Sequence, residues 1–433
     1  MRLTSENSWW NEGGLWQDPD LARVKNSRLN YRPKPFQPKD CKQSAMMTLR
    51  GPRRAGKTVS LKLLVAELVE DHGWAPRDIT WTSFDTFRTL AQIEDHLTEV
   101  AKRYRPRLLL VDEVTSVIGW QRVLKKLRDN GTLTDACVLL TGSSAYDLKA
   151  GAERMAGRRG NVHAPDRVLL PMSFVNFREQ VGKERGTSGN YLRVGGFPFR
   201  VEDFLRAKQE DWSESVGLQI LDDVLFYEIG RRRLDRSIAM EIVGRLAAVK
   251  CSASSYEGFV KPLSMAKDTA RKYLDAFGDA FLLATLSTFD TARNRVAPKK
   301  DRKFVWIDSS LGYLASWLRT GPEPDEATLA EWAVGSALLR ESEVRLWEGL
   351  SAPRNVFTWK SSSGNEIDFL IVDRSKGVRF PVEVKYQQTV SDWDFQVLER
   401  AFGKGCLVTR EESRSRPKAR AVMLDEFLQK GSC

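Results

Sequence analysis

Gly51-Pro52-Arg53-Arg54-Ala55-Gly56-Lys57-Thr58 decides how the rest of the chain is read. These residues match G-x-x-x-x-G-K-S/T, a loop whose glycines let backbone N–H groups curl around phosphate oxygens. The flanks support the match, because an apolar strand-like run at 46–49 precedes it and an amphipathic helical run at 60–69 follows. In that setting the helix N-terminus adds the positive end of its dipole. Lys57 then reaches the β and γ phosphates, and the Thr58 hydroxyl ligates magnesium. The loop from Gly51 through Pro52, Arg53, Arg54 and Ala55 to Gly56 is expected to cradle ATP. Arg53 and Arg54 also have a plainer reading as solvated side chains, since the backbone does most of the cradling.

Outward from the loop, short apolar runs at 79–84, 107–111 and 138–140 alternate with amphipathic runs at 93–104 and 123–127. Continuous apolar strands in βαβα order predict a parallel sheet covered on both faces. The strand Leu108-Leu109-Leu110-Val111 ends in Asp112-Glu113. Either acid alone could cap a strand; beside a phosphate loop, Asp112 is expected to hold Mg2+ through water and Glu113 to polarise the attacking water. Leu139-Leu140-Thr141-Gly142-Ser143-Ser144 is a second strand ending in small polar residues, which makes Thr141 and Ser143 candidate sensors of the γ-phosphate. Arg154, Arg158 and Arg159 follow. Arg158 is taken as a nucleotide contact, a sensor or an arginine finger, with solvated arginines as the alternative.

The first 40 residues carry Trp9, Trp10, Trp16 and Tyr31 among prolines and polar residues. They read as an extended arm whose aromatics pack on the next domain. A helical middle over 174–248 is broken at Val194-Gly195-Gly196-Phe197-Pro198, with the helical lid expected over 181–245. Further on, a turn, a helix beginning near Asp268 or Thr269, and a strand at 304–307 fit a winged helix. Its second helix would bring Lys267, Arg271 and Lys272 to phosphates, with a pure packing module as the rival. The expected partition is 1–40, 41–180, 181–245, 246–320 and 321–433.

The last segment predicts a helix at 329–339, strands at 356–360, 367–372 and 382–384, then a helix at 395–401 and a strand at 407–409. Glu366-Ile367-Asp368-Phe369 and Val382-Glu383-Val384-Lys385 look like adjacent strands, and the period of two puts Glu383 and Lys385 on one face. An Asp on one strand with E-x-K on the next is how restriction-endonuclease-like folds bind magnesium and activate water. Asp368 and Glu383 are the expected metal ligands, and Lys385 the residue that stabilises developing charge. The rival is a cross-strand salt-bridge cluster. Glu331 reads as a solvated acid on its helix, with a further ligand as the alternative.

A chain of 433 residues is expected to form two to four domains at roughly 100–200 residues each. Its apolar runs fall far short of the ~20 residues of a membrane span, so it is read as cytoplasmic and without a membrane partner. Five scattered cysteines and three histidines suggest neither a disulfide framework nor a thiolate or histidine metal site. Sixty-eight Lys plus Arg against fifty-seven Asp plus Glu give a net charge of +11, which favours an anionic partner such as DNA. Arg293, Arg295, Lys299, Lys300, Arg302 and Lys303 form a basic run expected to face nucleic acid.

Together these residues resemble prokaryotic ATPases of the AAA+ superfamily that carry a carboxy-terminal domain of unknown function with a nuclease-like core. The likeness runs from Trp9-Trp10 through the loop, Val111-Asp112-Glu113-Val114, Gly119-Trp120, Leu140-Thr141-Gly142-Ser143-Ser144, Ala156-Gly157-Arg158 and Leu170-Pro171-Met172-Ser173-Phe174. It continues through Gly195-Gly196-Phe197-Pro198 to Asn365-Glu366-Ile367-Asp368-Phe369 and Val382-Glu383-Val384-Lys385. It implies an α/β multidomain chain with a P-loop NTPase sheet, helical lid, winged helix and restriction-endonuclease-like terminal domain. The implied function is a DNA-associated, ATP-hydrolysing switch; the alternative is a regulatory ATPase with a non-cleaving terminal module that binds nucleic acid or protein. A homo-oligomer or protein partner stays open. Val59, where a second Thr is frequent, and Arg159 after the glycine-arginine pair are small departures.

Overall fold

The computed structural model describes residues 2–142, 155, 157–207, 212–297, 300–340, 353, 355–361, 364–373 and 378–431. The chain forms two compact units, Met1–Leu169 and Leu170–Cys433.

The first unit is built on β1 (Met46–Arg50), β2 (Ile79–Ser83), β3 (Leu108–Asp112), β4 (Cys137–Thr141) and β5 (Asp166–Val168). They form one parallel sheet in the order β2-β3-β4-β1-β5. All residues of β1, β3 and β4 are buried, as continuous apolar strands under helices on both faces require. Helices Lys57–Glu70, Leu90–Tyr104 and Trp120–Asp129 supply that cover. Thr89 opens the second with a capping box, its hydroxyl accepting from the Gln92 N–H while the Gln92 side chain accepts from the Thr89 N–H. Because β4 lies between β1 and β3, the ends of the loop strand, the acidic strand and the strand that ends in Thr141 come together.

Residues 1–40 are not an extended arm: they include helices Arg2–Glu6 and Pro19–Asn26 and short turns of 3-10 helix. Their aromatics pack as expected, with Trp9 and Trp10 donating indole N–H bonds to the Ile79 carbonyl at 3.2 and 2.8 Å. Asn7 covers the edge strand β2, donating to the Trp81 carbonyl at 2.9 Å and accepting from its N–H at 2.6 Å. An edge satisfied in this way is no template for another strand.

In the second unit, helices Phe174–Val181, Ser188–Val194, Pro198–Arg206, Glu214–Arg231 and Arg236–Val249 form the helical stretch. Gly195, at φ +74°, closes one helix and Pro198 opens the next, which accounts for the break. Helices Tyr256–Val260 and Lys267–Asp279 follow, with Asp268 in the first turn of the latter. Then come β6 (Leu283–Ser287), β7 (Phe289–Asp290), β8 (Arg295–Val296) and β9 (Arg302–Trp306), with β6 antiparallel to β9 and β7 to β8.

Helix Glu326–Arg340 leads into a six-stranded mixed sheet. Its strands are β10 (Val356–Lys360), β11 (Glu366–Asp373), β12 (Val378–Lys385), β13 (Gly405–Thr409), β14 (Arg414–Ser415) and β15 (Ala419–Met423), in the order β10-β11-β12-β13-β15-β14. Strands β10 to β12 are antiparallel, and helix Asp392–Phe402 then crosses to β13, parallel to β12. The helix Glu326–Arg340 packs closely against β9 and β11: a Cβ on Gly335 would lie 2.8 Å from both Phe369 and Val305.

Candidate functional site

The loop after β1 is shaped for an anion. Gly51 takes φ +141°, and a Cβ there would meet the Leu169 carbonyl oxygen at 2.0 Å, so only glycine fits. Gly56, at φ +95°, precedes helix Lys57–Glu70, and no side chain caps the first N–H groups of that helix. Lys57 is 6% exposed, and its ammonium donates to the Gly51 and Pro52 carbonyls at 2.9 and 3.0 Å. Burial lowers its pKa, against the opposing pull of the Glu113 and Asp112 charges. A buried cation hydrogen-bonded to two carbonyls, at the start of a helix with no side-chain cap, suits a phosphate.

Thr58 donates to one Asp112 oxygen at 2.8 Å, while Thr141 donates to the other, which also accepts from the Glu113 N–H at 3.0 Å. Burial first, and the neighbouring Glu113 second, raise the Asp112 pKa. A Thr hydroxyl and a carboxylate side by side form a hard-oxygen donor pair, so the residues fit the Mg2+ expected beside a nucleotide. Glu113 holds φ 49°, a left-handed conformation that a non-glycine residue adopts at some cost. Arg53 is half-buried and Arg54 exposed. Arg158 makes a bidentate pair with Asp129, at 2.5 and 3.0 Å, which engages its guanidinium at the end of helix Trp120–Asp129. Ser143 and Arg154 lie outside the described residues.

The second cluster is on the mixed sheet. The register of β11 and β12 places Asp368 opposite Glu383, and the Asp368 N–H donates to Glu383 Oε2 at 3.1 Å. Lys385 pairs with Glu383 Oε1 at 2.9 Å, as their shared face predicts. Asp368 Oδ2 accepts from the Val384 N–H at 2.8 Å. The remaining Asp368 oxygen accepts from Lys303 at 2.7 Å, and Glu331 accepts from the same ammonium. Two expectations are corrected here: Glu331 joins the cluster instead of facing solvent, and Lys303, 3% exposed, is buried and unavailable to DNA phosphates. Burial and the Asp368 charge push Glu331 up to about 8 and Glu383 up to about 7. Burial also pushes Asp368 upward, but the Lys303 ammonium outweighs it and holds the carboxylate low. Two acids facing one ammonium divide in this way, one charged and one keeping its proton.

These residues do not fit a resident divalent metal. Asp368 and Glu383 each already face an ammonium, Lys303 at 2.7 Å and Lys385 at 2.9 Å, a positive charge that a divalent ion would have to displace, whereas the hydrogen-bond donors to Asp112 are all neutral. Among the described residues no group of three or more His, Cys, Asp or Glu is placed to hold a metal. The basic face of helix Lys267–Asp279 is open to solvent, with Lys267 paired to Glu257 at 2.7 Å, Arg271 beside Asp275 at 3.8 Å, and Lys272 exposed. Lys299 lies outside the described residues. Among the described residues no helix is long and apolar enough to cross a membrane.

Comparison with known proteins bears on the domains of the chain and not on its individual residues. Residues 43–178 match the family model of an AAA domain, and residues 328–425 that of a domain of unknown function (DUF4143). An uncharacterized protein of Haemophilus influenzae is 25% identical over 311 residues, 67% of this chain and 74% of its own length. An uncharacterized protein of Methanocaldococcus jannaschii is 23% identical over 378 residues, 81% of this chain and 77% of its own. Among solved structures, a Walker-type ATPase of Pyrococcus abyssi aligns at 12% identity with a TM-score of 0.44, covering 63% of this chain and 91% of that one. Residues 43–178 are thus similar to AAA domains, and residues 328–425 to the DUF4143 domain.

Proposed function

We propose that the chain binds ATP with Mg2+ at residues 51–58 and hydrolyses it, and that nucleotide state serves as a switch over a DNA-associated second unit. The carrying observation is the convergence of Lys57, Thr58, Asp112 and Glu113 at the adjacent ends of β1 and β3, with Thr141 of β4 between them. Lys57 exchanges its two carbonyl partners for phosphate oxygens, a charge-assisted contact stronger than the one it gives up. Thr58 and Asp112 hold Mg2+, which when bound neutralises charge on the β and γ phosphates. Glu113 orients the attacking water, and Thr141 links Asp112 to the sensor strand. Lys57→Ala should weaken binding of a fluorescent ATP analogue at least ~10-fold by loss of that charged contact. Unchanged affinity would remove the loop from the nucleotide site.

For the terminal module, the antiparallel β10–β12 run, crossover helix and parallel β13 support a restriction-endonuclease-like core, with Asp368, Glu383 and Lys385 where that fold keeps its catalytic groups. The engagement of Asp368 by Lys303 favours the second version of this function, in which the module binds nucleic acid or protein without cutting. Magnesium-dependent nicking of plasmid DNA by wild type, lost in Asp368→Ala, would reject that version.

A further inference from the structure

Lys303 comes from β9, outside the mixed sheet, yet its ammonium ends among that sheet's carboxylates. It lies 5.1 Å from the centre of the Phe369 ring and touches Asp368 of β11 and Glu331 of helix Glu326–Arg340. An ammonium so enclosed is tolerated only when it is paired and hydrogen-bonded, and here two acids provide that. A divalent ion at the same carboxylates would have to displace it. Mg2+ sheds its water reluctantly and demands near-octahedral oxygens, whereas the tethered ammonium needs no more than the contacts it already has.

We infer that Lys303 is the resident cation of this cluster, holding the place between Glu331 and Asp368 that a divalent metal would take and fastening β9 to β11. The inference rests on the non-cleaving version of the terminal module and is independent of the nucleotide site. It makes Lys303 a positioning residue within the acidic cluster.

The test is Mn2+ binding to the full chain without nucleotide, followed by electron paramagnetic resonance of the free ion and by thermal melting. Wild type should take up no Mn2+ that Asp368→Asn removes. Lys303→Gln, which deletes the charge and frees one Asp368 oxygen, should raise Mn2+ affinity at least ~10-fold, and adding Asp368→Asn should abolish the gain. Stoichiometric Mn2+ on wild type, lost in Asp368→Asn, would overturn the inference, as would a folded Lys303→Gln that takes up none. If Lys303→Gln fails to fold, the wild-type titration decides alone. Mn2+ binding to wild type without DNA cleavage would remove this inference and leave the non-cleaving version standing, whereas Asp368-dependent cleavage would remove both.

Discussion

Glu113 stands at φ 49° directly after the buried Asp112, and its N–H is already spent on that carboxylate. Strain of this kind persists where the surrounding structure over-determines it, and at the end of β3 it sets the acid beside the phosphate loop. A second residue-scale effect is electrostatic. Asp325 pairs with Lys250 at 2.5 Å and accepts from the Thr328 N–H at 2.8 Å, and these bonds lower its pKa to about 2. A carboxylate with a depressed folded-state pKa stabilises above its unfolded value, and that stability is lost as pH falls through the folded value. The melting-temperature gap between wild type and Asp325→Asn should be constant from pH 7 to 5 and about half gone near pH 3. A gap that widens on acidification would contradict the assignment. The side chain is half exposed, so the gap should be small.

At the scale of elements, the buried Lys62 binds the N-terminal segment to helix Lys57–Glu70, donating to Asp18 at 2.8 and 3.0 Å and to Asp20 at 2.7 Å. Lys62→Met leaves Asp18 buried without its counter-charge and should cost about 3–5 kcal/mol in urea unfolding. Adding Asp18→Asn should recover part of that loss. No recovery would mean that the lysine acts through packing alone. Strands such as β1, β3 and β10 were legible because runs of apolar residues bounded by turns have few other folds open to them. Strand β5 was not, since Asp166-Arg167-Val168 is held by pairing to β1 and by Arg159 on Asp166 at 2.5 and 2.7 Å, contacts with no local signature. The N-terminal helices are too short to show a period. In the acidic cluster, Asp368, Glu383 and Lys385 follow from strand alternation, while Lys303 sits in a charge run that reads as solvated. The usable signal was a lysine one residue before Phe304-Val305-Trp306, on a strand buried on both faces, where a charge demands a partner.

For the whole molecule, the net charge of +11 predicts association with a polyanion. Binding of labelled DNA should weaken steeply between low and moderate salt, as counterion release requires. Replacing Lys267, Arg271 and Lys272 with alanine should flatten the logarithmic salt slope by roughly 2–3 units if all three meet phosphates. An unchanged slope would move the contact elsewhere on the basic surface. The central claim is ATP hydrolysis by the AAA domain, and it is tested most directly by comparing wild type with Glu113→Gln, measuring ATP turnover and ATP affinity side by side. Turnover should fall about 100-fold or more, with affinity kept within a few-fold, because only the residue that orients the attacking water has changed. Equal turnover in the two proteins, or none in wild type while ATP is bound, would contradict the account.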